Sequence, residues 1–281
     1  MGLWKFDNRD TLRPTWQFSP SNFPCTKFGP LSPETYIGII TAKYMKTINF
    51  LRSSLLPLTM PLAMIAALPL WLFTGSRRNA INFATGLWAD MSSALIGLKV
   101  QVVGDEYLRN HRPAVFILNH QSNADGYLVA KLIRRDIAYL GKKELSRQPI
   151  RGRLMQFGGV VLVDRKNTAA AGKAMQPLID AIRKEGRSVA IFPEGTRSHS
   201  TILRQFKKGA FLIAMRAGVP IIPIVIHNSI DAQPKGETVY RPATVKVAVL
   251  PPIDTGNWKV KSLDHNIADI RRQFLEELGQ E

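Results

Sequence analysis

One imidazole and one carboxylate stand five residues apart in the stretch Asn119-His120-Gln121-Ser122-Asn123-Ala124-Asp125. On one continuous α-helix their side chains would diverge by roughly 140° and could not meet. With His120 in a turn and Asp125 in the first turn of a helix, the carboxylate can fold back onto the imidazole. It then holds one tautomer and leaves the other ring nitrogen free to take a proton. The same residues admit a plainer reading, with Ser122 as a helix cap and Asp125 as the third helical residue of a Ser-x-x-Asp capping box. The two are compatible if Asp125 has more than one partner.

Two further stretches end an apolar run in a guanidinium. Gly158 to Arg165 is one, and Val189-Ala190-Ile191-Phe192-Pro193-Glu194-Gly195-Thr196-Arg197-Ser198 is the other. In the second, Gly195 permits close approach of the backbone and Arg197 offers a planar fork suited to phosphate. Val219 to Ile226 is a third apolar run, ending at His227. Taken singly these signals have ordinary explanations: a solvated arginine, a Pro-Glu-Gly-Thr turn, or Pro220 and Pro223 marking an edge strand. His111, His199, His227 and His265 read as surface or structural residues.

The elements that must hold these groups follow from the pattern around them. Ala114 to Leu118 is apolar, short and ends abruptly at Asn119, which suits a buried strand, and Gly126 to Arg134 reads as the helix after it. Leu98 to Val103, Ile137 to Leu140, Val160 to Val163, Val189 to Phe192, Val219 to Ile226 and Thr244 to Leu250 are the other strand candidates. Helical patterns cover Thr168 to Lys184, Lys208 to Ala217 and Ser262 to Leu278. Strand and helix in alternation predict an α/β fold, a mixed, largely parallel sheet flanked by helices on both faces. If the strands are parallel, His120, Arg165 and Arg197 emerge at one edge, where open α/β sheets keep their chemistry. A base facing two arginines suits a phosphorylated alcohol.

Upstream of this domain, placed at 93–281, residues 1–50 read as an irregular arm and 51–92 as a membrane-associated helical segment. Leu55 to Phe73 is nineteen residues without a charge, long enough to cross a bilayer by the ~20-residue criterion. Three prolines interrupt it, and each removes a helical hydrogen bond that hydrocarbon cannot replace. A broken helical pair entering one leaflet and returning is favoured over a straight span or a buried soluble pair. Basic residues flank both ends, so loop charge assigns no orientation.

Composition narrows the partners. Lys and Arg number 38 against 21 Asp and Glu, a net charge of +17, and the pull is toward anionic lipid, phosphorylated substrates or nucleic acid. Lys131 to Ala210 alone holds 18 of those basic residues against 6 acidic ones. No zinc spacing, RNA-recognition signature or recognition helix supports nucleic acid. The single Cys25 excludes an internal disulfide and a multi-cysteine metal site, and no secretory signal is legible at Met1. No Gly-x-Ser-x-Gly elbow supports a serine hydrolase.

In this order the blocks resemble the glycerophospholipid acyltransferase family that includes 1-acylglycerol-3-phosphate acyltransferases. The matching residues are Asn119 to Asp125 for its NHxSxxD block, Gly159 to Arg165 for the second, Phe192 to Ser198 for FPEGTRS and Val219 to Ile226 for the fourth. The second block matches mainly in its glycine, its apolar run and Arg165. Lys142-Lys143-Glu144-Leu145 is similar to the family's lysine-containing segment. The resemblance implies His120 as the base and Asp125 as its orienting partner. It implies Arg165, Glu194, Gly195, Thr196, Arg197 and Lys142 as the acceptor-binding set. It also implies acyl-CoA or acyl carrier protein as co-substrate, with no metal or cofactor, and a membrane lipid as the partner at the cytoplasmic face. The expected product is phosphatidic acid, with another lysophospholipid or glycerol-3-phosphate as the alternative acceptor. The hydrolase domain that some relatives carry would need an Asp-x-Asp motif, which is lacking here.

Overall fold

The computed structural model describes residues 32–142, 160–163, 171–198 and 200–280. The chain divides into two compact units, Met1–Thr47 and Ile48–Glu281. Helix α1, Pro33–Thr74, begins in the first and continues into the second, so part of the stretch read as an irregular arm is helical. The aromatic residues ahead of it lie outside the described residues.

The three prolines do not break α1, which runs on through Pro57, Pro61 and Pro69. Proline holds a φ that the helix already uses, and it costs the helix a hydrogen bond without reversing its direction. The break comes after the apolar run. Gly75 takes φ 64°, a left-handed conformation open to glycine, and the Asn79 N–H donates to Ser76 Oγ at the start of α2, Arg77–Ile96. The helical pair expected to break within Leu55 to Phe73 does not form: that run is one continuous helix, and the turn to a second helix comes after it, at Gly75 and Ser76.

Within the second unit α1 is inverted relative to a water-soluble helix. Asn49, Leu56, Thr59, Ala63 and Ala67 are buried at three- to seven-residue spacing, so its inward stripe is mostly small or polar. Leu51, Leu55, Leu58, Leu62, Ile65, Leu72 and Phe73 are exposed. The small stripe lets α2 approach closely: Thr59 Oγ1 and Ser92 Oγ share a hydrogen bond of 2.9 Å, and Ala67 packs with Ala80 and Ala84. By length and composition α1 can cross a membrane, and 22% of its apolar window is buried.

Downstream the chain alternates as its periodicity predicts: β1 Leu98–Val103, α3 Tyr107–Asn110, β2 Val115–Leu118, α4 Asp125–Ile133, β3 Ile137–Lys142 and β4 Val161–Val163. Then come α5 Ala171–Arg183, β5 Ser188–Ile191, α6 Gly209–Ala217, β6 Ile221–Ile226, β7 Ala243–Val249 and α7 Leu263–Leu278. Among the described residues the strands form one sheet in the order β1-β7-β6-β2-β5-β3-β4. The strands from β6 to β4 run parallel, while β7 pairs antiparallel with β6 and carries β1 with it. The sheet is mixed and largely parallel.

Alternation along β2 and β6 supplies both faces. Val115, Ile117, Ile221 and Val225 join the core under α5, α6 and α7, while Phe116, Leu118, Ile222, Ile224 and Ile226 join the core under α2 and α4. Burial on both faces is why β2 and β6 read as unbroken apolar runs. Ion pairs fix the second layer from outside, with Asp90 of α2 meeting Lys131 and Arg134 at 2.8 and 2.7 Å.

Pro223 does not mark an edge, because β6 lies between β7 and β2. The Pro223 carbonyl accepts from the Leu250 N–H at 2.9 Å, so its absent donor would point the same way, toward the chain leaving β7. There, one extra residue separates the Ile224–Val249 pair from the Ile221–Ile253 bridge. This bulge tolerates the missing N–H.

Candidate active site

The sheet positions the site through two crossovers that diverge. From β2 the chain passes to α4, packed on one face, and from the neighbouring β5 it passes to α6, packed on the other. Loops leaving adjacent parallel strands toward opposite faces open a crevice at their carboxyl ends. His120 lies in the first loop and Glu194 to Arg197 in the second. Asn119 pins the end of β2 by extending the ladder with its side chain: its Nδ2 donates to the Ile226 carbonyl and its Oδ1 accepts the Ile226 N–H, both at 2.7 Å.

At the head of α4 the Asp125 carboxylate, fully buried, folds back toward the preceding loop. His120 Nδ1 lies 2.7 Å from Asp125 Oδ2, and the same oxygen accepts the N–H groups of Gln121 and Ser122 at 2.9 Å each. A carboxylate facing Nδ1 selects the tautomer that carries its proton there, which leaves Nε2 able to accept one. The ring is 20% exposed and is stacked on Phe192 with centroids 4.0 Å apart. The Ser122 contact is one half of a capping box. The other half differs from expectation, because α4 begins at Asp125 and Ser122 does not cap it. Instead Ser122 Oγ accepts from the Ala124 N–H and donates to the Gln233 carbonyl at 2.9 Å, tying the loop to the segment after β6.

Glu194 joins the two loops. Its Oε1 accepts the His120 N–H at 2.7 Å and its Oε2 the Arg204 N–H at 3.1 Å, while Ser198 N–H donates to the His120 carbonyl at 2.9 Å. At 3% exposed, Glu194 is a buried strut rather than a surface charge. Burial pushes its carboxyl above the ordinary range, and the two backbone donors and nearby positive charge offset this in part. Gly195 adopts φ 76°, which L side chains rarely adopt, and the turn it makes presents Thr196 and the half-buried Arg197 outward. Lys142 ends β3 at the same edge, with its side chain outside the described residues, and Arg165 lies outside them altogether. Among the described residues no three His, Cys, Asp or Glu side chains converge as a metal site.

A family model described as Acyltransferase matches residues 99–227, the span that carries both loops. The 1-acyl-sn-glycerol-3-phosphate acyltransferase of Salmonella typhimurium is 33% identical over 210 residues, covering 73% of this chain and 85% of the relative. This chain belongs to the acyltransferase family. A second relative, the 1-acyl-sn-glycerol-3-phosphate acyltransferase of Cocos nucifera, is 28% identical over 93% of this chain and 83% of its own. The crystal structure of a 1-acyl-sn-glycerophosphate acyltransferase from Thermotoga maritima shares the fold, with a TM-score of 0.66 at 22% identity over 82% of this chain and 97% of that one. The protein is an O-acyltransferase.

Beside the loop that carries Asp125 this acyltransferase has a cavity of 830 Å³ between α1 and α2, walled largely by apolar side chains. One end reaches Gly126, Tyr127 and Tyr240, next to Asp125, and the other reaches Trp71 and Arg77 near the helix turn. Tyr127 and Tyr240 stand edge to face at 5.9 Å, and Tyr127 also packs on Trp88 at 5.2 Å. Burial pushes both phenols up, that of Tyr240 with a further contribution from its neighbour Tyr127. Ser53 Oγ accepts the Tyr240 N–H at 2.8 Å and so links α1 to this wall. Sequence reasoning missed Tyr127 and Tyr240, since neither stands in a motif. A hydroxyl gains meaning here only from what it lines.

Proposed function

We propose that this acyltransferase moves a fatty acyl group from acyl-CoA or acyl carrier protein to the free hydroxyl of 1-acylglycerol-3-phosphate, giving phosphatidic acid. The observation that carries the reading is an imidazole whose Nε2 has no hydrogen-bond partner among the described residues, oriented by a buried carboxylate and tied through Glu194 to a turn bearing Arg197. Nε2 of His120 takes the hydroxyl proton as the oxygen attacks the thioester carbonyl. Collapse of the tetrahedral intermediate breaks the C–S bond, and the departing thiolate receives the proton back from the imidazolium. Asp125 holds the ring through both steps and stabilises its charged form. A thiolate leaves readily, so neither an acyl-enzyme nor a metal is part of this scheme. Arg197, together with Arg165 and Lys142, grips the acceptor phosphate, with Gly195 and Thr196 shaping the turn and Glu194 supporting it.

The cavity between α1 and α2 takes the acyl tail. Its size lies within the range of small-molecule sites, its walls are largely apolar and one end is lined by Gly126, the residue that follows Asp125. The large exposed side chains of α1 support association with a membrane, since an apolar surface of that extent favours contact with hydrocarbon, and the cytoplasmic face, where both donors occur, is the side proposed. Mass spectrometry of products from a panel of lysolipids and glycerol-3-phosphate with each donor tests the reading. Phosphatidic acid should dominate; acylation confined to unphosphorylated acceptors, or none at all, would overturn it.

A further inference from the structure

We propose that Lys207 is a further cation of the acceptor-phosphate site, seated on Gly195 beside Arg197; this rests on the phosphorylated acceptor proposed above. Lys207 lies outside the four sequence blocks, and two contacts with the turn set its position. Its N–H donates to the Pro193 carbonyl at 2.9 Å. Its side chain lies along Gly195, where an added Cβ would stand 2.7 Å from Nζ, 3.0 Å from Cε and 3.1 Å from Cδ. The missing side chain at position 195 is therefore what admits the ammonium group to the turn.

Several neighbouring charges are already engaged. Lys208 pairs with Asp264 at 2.7 Å, Lys235 Nζ donates to the Arg197 carbonyl at 2.8 Å, and the Arg271 guanidinium donates to the carbonyls of Leu203 and Arg204. Glu194, the carboxylate of the turn itself, is buried with both oxygens on backbone N–H groups. Among the described residues Lys207 has no carboxylate partner, although it is exposed and held against the turn. A phosphate monoester carries roughly −1.5 to −2 at neutral pH on three acceptor oxygens, so it takes donors from several directions at once. An ammonium seated on the Gly195 side approaches it from a direction set by the turn itself.

Steady-state kinetics of the full-length chain in mixed micelles test this with Lys207→Met, Lys207→Arg and Lys208→Met. Lys207→Met should raise KM for 1-acylglycerol-3-phosphate about tenfold or more, the scale of a lost charge-assisted hydrogen bond, with KM for the acyl donor unchanged. Lys207→Arg should restore most of the loss, and Lys208→Met, which removes the same charge one residue on, should change KM by less than about twofold, as expected for a solvent-exposed ion pair. Equal effects of the two Met variants would reduce Lys207 to a share of the general field, and a rise in the donor's KM instead would move it to the donor's phosphates; either overturns the assignment. Failure of the parent to use the phosphorylated acceptor overturns the underlying reading and this assignment with it.

Discussion

At the scale of single residues, Asp125 Oδ2 serves three donors at once, the His120 ring and the N–H groups of Gln121 and Ser122. Asp125→Asn can keep an oxygen in that place and lose only the charge, so it should lower kcat less than His120→Ala. The latter removes the proposed base and should cost about 10²- to 10⁴-fold in kcat with little change in acceptor KM. Turnover of His120→Ala within a few-fold of the parent would remove the histidine from the mechanism. Glu194 poses a different test, because both its oxygens face backbone donors. Glu194→Gln is isosteric yet sets an NH2 group against one N–H, and it should lower stability by about 1–3 kcal/mol. Its folded carboxyl titrates above the ordinary value, so the stability linked to its protonation is complete below the unfolded value and is lost as pH rises through the raised folded one. Thermal unfolding of Glu194→Gln across the acidic range should lack that decline.

At the scale of elements, α1 turns small and polar groups inward and large apolar groups outward. Replacing Leu58, Leu62 and Ile65 by Gln removes exposed apolar surface without touching the stripe that meets α2. Each side chain is worth about 1.5–3 kcal/mol when transferred from water into an apolar phase. The triple variant should dissociate from anionic vesicles in high salt while keeping its thermal stability, measured by sedimentation and by circular dichroism. Full retention on vesicles would place the membrane contact elsewhere. Excising α1 is a poorer experiment, because Thr59 holds Ser92 and Ser53 holds Tyr240.

At the scale of the whole molecule, the crevice and the cavity meet at α4, so the proposed base and the proposed tail site share one wall. Ala84 lies on that cavity between its two ends, in contact with Ala67 and Ala80. Ala84→Phe should shorten the cavity and shift donor preference toward shorter acyl chains, read as the ratio of kcat/KM for long and short donors. Ala84→Leu should give a smaller shift in the same direction. An unchanged ratio in a variant that remains folded would show that the tail lies elsewhere.

Strand and helix positions were legible because burial periodicity is written over short windows: β1 ends where its alternation ends, and β2 stops at Asn119 where the apolar run stops. The return of Asp125 to His120 was legible for the same reason, since five residues of chain constrain both groups. Other features required the tertiary structure. Pro223 lies inside the sheet because the chain after β7 bulges beside it, and α1 continues through its prolines to a glycine that can reverse direction. Glu194 reads in sequence as a turn residue, and its role as a strut depends on donors at His120 and Arg204 that only the fold brings to it. The cavity likewise needs two helices, and the crevice needs neighbouring strands whose crossovers take opposite faces. Short-range pattern specifies which residues form an element, whereas strand order and contacts between distant loops decide which side chains share a site.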